Sequence, residues 1–416
     1  MKMKTATVHT AVVVGSYVSI VRIHADIEPG ESGIRLEGAE DLSDVEKHEL
    51  LVRLRCCLEG HNGVTLTIDT VPQHMLPVAS RGYDLPAVIA VALAEGKLPQ
   101  RKDICFAMGE LSLSGRVQPV RGVFGVALSI ARSKYHRVIV PARGCCGEAR
   151  DAGMPVEKLV AAHHVGEVME ALRVEGPSHE IPCVSQQTPA PSFDDLPVPV
   201  DSDIMSQIKA AVDRKDKKLL LIGPPGVGKT MIARRIGSLL PEMTSQEKCD
   251  VTAIRSIAGL EPGGLNHERP FRAPHHTVSW AGFVGTRKRP GELSLAHKGV
   301  LFLDEFQEFS GMIRESVVES KNRYLPWPAE PAMTVAAADP CPCGWSGWMG
   351  EPSTRYRKCE CSKDVIRRHE SRLYVDSFGS VIRLTKGACW RPNSIRTAEL
   401  QSETLDRLNQ AGLLRS

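Results

Sequence analysis

The chain has 416 residues, 42% of them apolar and 24% charged, with a formal net charge of +3. That length suits two or three domains, the balance is that of a soluble globular protein, and the net charge is too small to mark a nucleic-acid binder by itself. No run approaches the ~18 apolar residues of a membrane span, and the twelve cysteines with no apolar signal core before them predict a cytoplasmic protein rather than a disulfide framework.

Residues 1–180 read as one α/β region. Short β-branched runs at Val12–Val14, Val18–Ile23, Val64–Ile68 and Val138–Val140 predict strands. Apolar recurrence near 3.6 predicts helices over Asp44–Leu58 and Leu85–Ala94. Gly82–Pro86 reads as a turn launching the second helix, with Asp84 placed to accept its first free N–H groups and Pro86 suited to the first turn. Gly109–Gly115 followed by Val117–Gly122 reads as strand, turn and second extended piece. Cys56–Cys57 and Cys145–Cys146 lack redox spacing and read as buried filler, and His163–His164 as a surface or cap feature.

Residues 181–200, rich in Pro and Ser, predict a linker. Ile204, Met205, Ile208, Ala211 and Val212 then supply one helix face, and a nucleotide-binding unit is expected over 201–395, with a short tail at 396–416. Leu219–Ile222 is a candidate buried strand running straight into Gly223, Pro224, Pro225, Gly226, Val227, Gly228, Lys229 and Thr230, after which helical periodicity resumes from Met231 to Leu240. Strand, glycine-rich turn and helix form the context that a G-x-x-x-x-G-K-[ST] phosphate loop requires. The glycines let backbone N–H groups face a phosphate, the helix adds its positive end, Lys229 can reach the outer phosphates and the Thr230 hydroxyl suits Mg²⁺.

Gly299–Glu305 is a second apolar strand with acids at its carboxyl end, where parallel α/β sheets place their ligands. Asp304 is the candidate for the Mg²⁺ shell opposite Thr230, and Glu305 the candidate to polarise the attacking water. The small residues of Met333–Ala338 suit a crowded central strand, with Asp339 ending it near the γ-phosphate. Next come Cys341-x-Cys343 and Cys359-x-Cys361, two pairs able to supply four thiolates to Zn²⁺, against the alternative of unliganded thiols. Residues 340–396 hold eleven Lys and Arg against five acids, a local net charge of +6. The helix expected over Ser362–Arg372 carries Lys363, Arg367, Arg368 and Arg372, beside Arg355, Arg357 and Lys358, and reads equally as a DNA-contacting or a solvated basic face. His275 and His276 alternate faces if the chain is extended and so do not easily share one metal, and Phe271–His276 reads as a substrate or inter-subunit loop, with an ordinary structural turn as the alternative.

The segments Arg269–Thr277, Arg289–His297, Gly299–Glu305 and Pro340–Gly344 resemble the magnesium-chelatase-like AAA+ ATPases of the YifB/ComM family, over about residues 5–390. The resemblance implies a Lon-protease-like α/β amino-terminal domain without protease activity, followed by a P-loop AAA+ domain with a small cysteine-rich, basic insertion at 340–372. It implies ATP and Mg²⁺ held by the phosphate loop with Asp304 and Glu305 as the Walker B pair, and a homo-oligomer, typically a six-membered ring. ComM members of the family are associated with DNA branch migration in natural transformation. Three departures bear on turnover: Asp339 stands where a polar Asn sensor is expected, Ser377 stands where the family pattern supplies an arginine finger, and the small helical lid is not expected within these 416 residues, with Arg383, Arg391 and Arg396 as candidates to compensate. The expected function is ATP binding with DNA association and weak or partner-dependent hydrolysis. The alternatives are a nucleotide-gated regulatory subunit without significant turnover and a chelatase-type motor.

Overall fold

The computed structural model describes residues 4–385 apart from 15–16, 29–32, 39–41, 59–62, 70–81, 100–104, 174–190, 196–199, 261–263, 287–288, 320–326 and 350–357. Most of the expected linker, the tail at 396–416, Arg355, Arg357, Arg391 and Arg396 therefore lie outside the described residues.

The first half is built on an antiparallel ribbon of β1 (Lys4–Val14) and β2 (Tyr17–Ile27), paired from Lys4↔Ile27 to Val14↔Tyr17. Both strands are longer than the β-branched runs suggested, because Thr, His and Arg on one face leave the other face continuous: Val21, Ile23 and Ala25 alternate with more exposed neighbours. β3 (Ile34–Gly38) leads to α1 (Asp44–Cys57), which Ser43 and Glu46 start with a reciprocal capping box. β4 (Val64–Ile68) is followed by α2 (Asp84–Ala94), buried at every position but Leu93 and so enclosed in the core rather than lying on a surface. β5 (Cys105–Ala107) precedes the small hairpin of β6 (Glu110–Leu111) and β7 (Val117–Gln118), as the turn signals predict. Then come α3 (Val123–Ile130), β8 (Arg137–Pro141), α4 (Cys145–Asp151), β9 (Leu159–Ala162) and α5 (Val165–Arg173). The sheet order is β3-β4-β2-β1-β5-β8-β9, antiparallel in the middle and parallel from β1 to β9.

Two local expectations are corrected. Asp84 is no helix cap: it is fully buried inside α2 and accepts hydrogen bonds from Arg53 Nε at 2.7 Å and the Leu111 N–H at 2.9 Å, while the cap position belongs to Tyr83 without a side-chain bond. Burial pushes the Asp84 carboxyl up to about 6 even though Arg53 and the Leu111 N–H pull it down. Cys56 is exposed and Cys57 half-buried, so that pair is not core filler, whereas Cys145 is buried.

In the second half, Asp201 caps α6 (Ser202–Asp213), and β10 (Lys218–Ile222) runs into the phosphate loop and α7 (Lys229–Arg235). The helix is shorter than its periodicity suggested, giving way to a 3₁₀ turn over Ile236–Leu239. α8 (Ser245–Ala258), β11 (Phe271–Arg272), α9 (Trp280–Val284), the hairpin of β12 (Gly285–Thr286) and β13 (Arg289–Pro290), and α10 (Glu292–Leu295) precede β14 (Val300–Leu303). α11 (Gly311–Glu319), β15 (Met333–Ala338), α12 (Lys363–Ser371) and β16 (Ser380–Arg383) complete the described elements. The strands form a wholly parallel sheet in the order β11-β14-β15-β10-β16. All six residues of β15 are buried, and its run of alanines sits between β14 and β10, the central place its small side chains favour.

The halves meet through α8. Ile257 of α8 and Trp327 share a core with Phe124, Val126 and Ala149 of the first half. At its centre Glu148 accepts from the Phe124 N–H at 3.0 Å and from the Ser256 hydroxyl at 2.5 Å.

Candidate functional site

The carboxyl ends of β10, β14 and β15 lie side by side, so everything that follows these strands converges on one edge of the sheet. After β10 the chain turns through Gly226 at φ +79° and Gly228 at φ +104°, backbone that a side chain would strain. Gly223 is excluded from substitution for another reason: a Cβ there would stand 2.8 Å from Leu384 Cβ. The loop closes on α7, whose first residue is Lys229.

Lys229 is buried, and its ammonium donates to the carbonyls of Gly223 at 2.5 Å and Pro224 at 3.1 Å and to Asp339 Oδ1 at 2.8 Å. The cation thus folds back over its own loop, held by the acid that ends β15. The Thr230 hydroxyl donates to Asp304 Oδ2 at 2.9 Å, linking the loop to the end of β14. These two pairs bring together Lys229, Thr230, Asp304 and Asp339. Thr230 and Asp304 offer two adjacent oxygens to a hard divalent cation, and Lys229 with the loop N–H groups offers positive charge to phosphate.

Glu305 stands in the left-handed region at φ +53° and points its carboxylate toward His276, whose Nδ1 lies 3.3 Å from Oε2. The His275 and His276 rings lie together rather than on alternate faces, tilted by 35° with centroids 4.1 Å apart, because the segment turns here instead of running extended, and His275 Nδ1 and Thr277 Oγ1 share a hydrogen bond at 2.8 Å. The base of this loop is pinned by a bidentate pair, with Arg272 Nε and Nη2 each 2.7 Å from the Glu292 carboxylate. The contact of His276 with Glu305 was not anticipated; adjacency of β11 and β14 in the sheet produces it, and only a knowledge of strand order could have exposed it. His369 was also missed: its Nε2–H donates to the Asp339 carbonyl at 2.9 Å. Ser377 is exposed in a 3₁₀ turn, and Arg383 pairs with Glu370 at 3.1 Å.

The four cysteines converge on one point. Cys341 Sγ lies 3.2 Å from Cys343 Sγ and 3.8 Å from Cys359 Sγ, Cys343 and Cys359 are 3.6 Å apart, and all four sulfurs including that of Cys361 fall within 4.8 Å. Four thiolates ~2.3 Å from a tetrahedral zinc stand roughly 3.8 Å from one another, so the donor set fits that ion. Burial works to raise the Cys343 thiol, but the Trp345 backbone bond and its sulfur neighbours bring it down to about 6; burial, helped by the Cys343 and Cys341 sulfurs and opposed by the Cys361 backbone bond, pushes Cys359 up to about 12. Sulfurs packed this closely share negative charge on one member, a state a cation relieves.

A groove of about 670 Å³ lined by Lys217, Lys298, Trp327 and Glu330 lies at the amino-terminal end of the same sheet. Its Lys298 and Glu330 pair with each other at 2.9 Å. Among the described residues no helix is long and apolar enough to cross a membrane.

Comparison with known proteins agrees with this arrangement. The family described as magnesium chelatase, subunit ChlI, matches residues 206–376, and a second family described as subunit ChlI of Mg-chelatase matches residues 61–144. The uncharacterized protein YifB of Escherichia coli is 32% identical over 406 residues, covering 90% of this chain and 75% of YifB. Competence protein ComM of Haemophilus influenzae is 28% identical over 368 residues, covering 82% of this chain and 70% of ComM. A shorter likeness, 30% over 166 residues, covers 38% of this chain and 20% of Lon protease 1 of Thermus thermophilus. With its parallel sheet, its phosphate loop and this extent of identity, the chain belongs to the magnesium-chelatase-like family that includes YifB and ComM.

Proposed function

We propose that the protein binds ATP with Mg²⁺ at the edge formed by Gly223–Thr230, Asp304, Glu305 and Asp339, and that it works as an AAA+ oligomer, a six-membered ring in the family pattern, associated with DNA. The observation that carries this reading is the convergence of Lys229, Thr230, Asp304 and Asp339 on one edge of the parallel sheet. In the proposed complex Lys229 leaves its loop carbonyls for the outer phosphates, Thr230 and Asp304 take Mg²⁺, and Glu305 accepts a proton from the attacking water. Asp339 opposes the γ-phosphate charge and Ser377 supplies no cation, which makes hydrolysis weak or dependent on a partner. The amino-terminal half is a Lon-protease-like domain without protease activity, a reading supported by its likeness to Lon protease 1. DNA association is supported by Lys363, Arg367 and Arg368 on α12, by Arg372 just past its end, and by the relative named for competence. The cysteine cluster takes structural Zn²⁺, which staples the insertion.

A fluorescent ATP analogue and phosphate release, followed with and without forked DNA, test the reading. Binding with DNA-stimulated release is expected, and Glu305→Gln is expected to lower release at least tenfold with binding retained. Tight binding with no release under any condition would instead favour a nucleotide-gated regulatory subunit, for which the Lys229–Asp339 pair is the favouring observation.

A further inference from the structure

The cysteine cluster is not a remote insertion. Only Pro340 separates Cys341 from Asp339, whose carboxylate holds Lys229 at 2.8 Å. Gly344, in the left-handed region at φ +83°, backs onto the phosphate loop, where a Cβ would stand 3.1 Å from Pro225 Cδ and 3.9 Å from Asp339 Oδ2. On the far side of the cluster, Ser362 follows Cys361 directly and caps α12 through the Val365 N–H. That helix returns to the same acid, with the His369 Nε2–H on the Asp339 carbonyl at 2.9 Å. Its next residue, Glu370, pairs with Arg383 at 3.1 Å on β16, and the following Leu384 N–H donates to Ile222 O at 2.7 Å at the start of the phosphate loop. The Met349 N–H bonds Thr385 O at 3.0 Å, tying the segment between the two cysteine pairs to the same strand end.

We propose that metal occupancy of the cysteine cluster controls the phosphate loop: Zn²⁺ held by Cys341, Cys343, Cys359 and Cys361 fixes Asp339, Pro225 and α12, and thereby sets nucleotide affinity. The inference rests on the nucleotide-binding reading above and adds a regulator to that site. As Zn²⁺ binds, the remaining thiol protons leave to solvent and the four sulfurs exchange weak mutual contacts for metal bonds. The segment that backs the loop then has one geometry instead of several. Because binding linkage is reciprocal, a nucleotide that orders the loop holds the metal more firmly by the same factor.

The test uses the full chain loaded with one Zn²⁺. Hydrogen exchange of the peptide spanning 219–230 is measured with no nucleotide present, before and after chelator stripping. At least fivefold faster exchange is expected after stripping, with the peptide of β8 unchanged. Cys343→Ser, without chelator, should reproduce the stripped behaviour. In the second arm, a fluorescent ATP analogue is expected to slow zinc transfer to a chromophoric chelator at least fivefold in the wild type and not in Lys229→Ala. A chain that carries no zinc, or a zinc-loaded chain whose 219–230 exchange is indifferent to stripping, overturns the coupling. If the wild type binds the analogue no better than Lys229→Ala, the nucleotide reading fails instead, and the exchange arm still decides whether the metal controls the loop.

Discussion

Replacing Lys229 with alanine is expected to weaken ATP binding by at least 100-fold, whereas replacing Asp339 with asparagine is expected to strengthen it about tenfold. Lys229 is buried at the loop with its ammonium held by the Gly223 and Pro224 carbonyls and Asp339, and in the proposed complex it leaves them for the outer phosphates. Losing two charge-assisted hydrogen bonds costs roughly 3–6 kcal/mol, which sets the lower bound of the first effect. Asp339 acts in the opposite sense. Its 2.8 Å bond must break before Lys229 can reach a phosphate, and its carboxylate then stays close to incoming negative charge. At an effective dielectric near 20, two like charges about 4 Å apart repel by roughly 4 kcal/mol. Part of that is relieved by Mg²⁺ and by solvent at a carboxylate one-third exposed, so a tenfold gain, about 1.4 kcal/mol, is the expected remainder. Equilibrium titration with a fluorescent ATP analogue reads both variants. Equal or weaker binding by Asp339→Asn would show that the acid assists the nucleotide or its metal, and would remove the reason given for slow hydrolysis.

The parts of this site written in contiguous residues are the parts legible in the sequence. Gly223–Thr230 follows an apolar strand, Asp304 ends another and each cysteine pair declares itself by spacing, so local chemistry and position along the chain suffice. The parts that stayed hidden depend on strand order and long loops. His276 meets Glu305 because β11 lies beside β14, and His369 meets the Asp339 carbonyl because α12 folds back across the edge of the sheet. Asp84 shows a different failure. Its place before an apolar helical run has every local mark of a cap, yet Arg53, thirty-one residues earlier, and the Leu111 N–H claim its oxygens within the core. A buried partner won over local turn chemistry because an unpaired acid there would have cost more than a missing cap.

Glu148→Gln is expected to remove a pH dependence of stability, and Glu148→Ala to loosen the junction between the two halves. The carboxylate is buried on α4 and accepts one hydrogen bond from α3 of the first half and one from Ser256 on α8 of the second. Burial pushes its pKa up from 4.5 to about 7, because those two bonds replace only part of the lost hydration. The folded pKa therefore exceeds the unfolded one. The contribution of this group is fully present below about 4.5 and is lost as pH rises through about 7, a difference of roughly 3 kcal/mol. Glutamine keeps an acceptor for both donors and cannot ionise, so the wild type should fall behind Glu148→Gln by up to about 3 kcal/mol between pH 5 and pH 8. Alanine keeps no acceptor: it strands the Ser256 hydroxyl, at about 1–3 kcal/mol, and leaves the Phe124 N–H only its longer bond to Ser256 Oγ at 3.4 Å. Its cost should be largest near pH 5, where the wild-type carboxyl is neutral and carries no ionisation penalty. Urea unfolding of the full chain at the two pH values, compared as differences from wild type, reads both effects. An identical wild-type-minus-glutamine difference at pH 5 and pH 8 would mean that Glu148 does not titrate in this range. Since its donors come from both sides of the junction, a pH-dependent difference confined to wild type would locate the proton at the contact through which the amino-terminal half is fastened to α8.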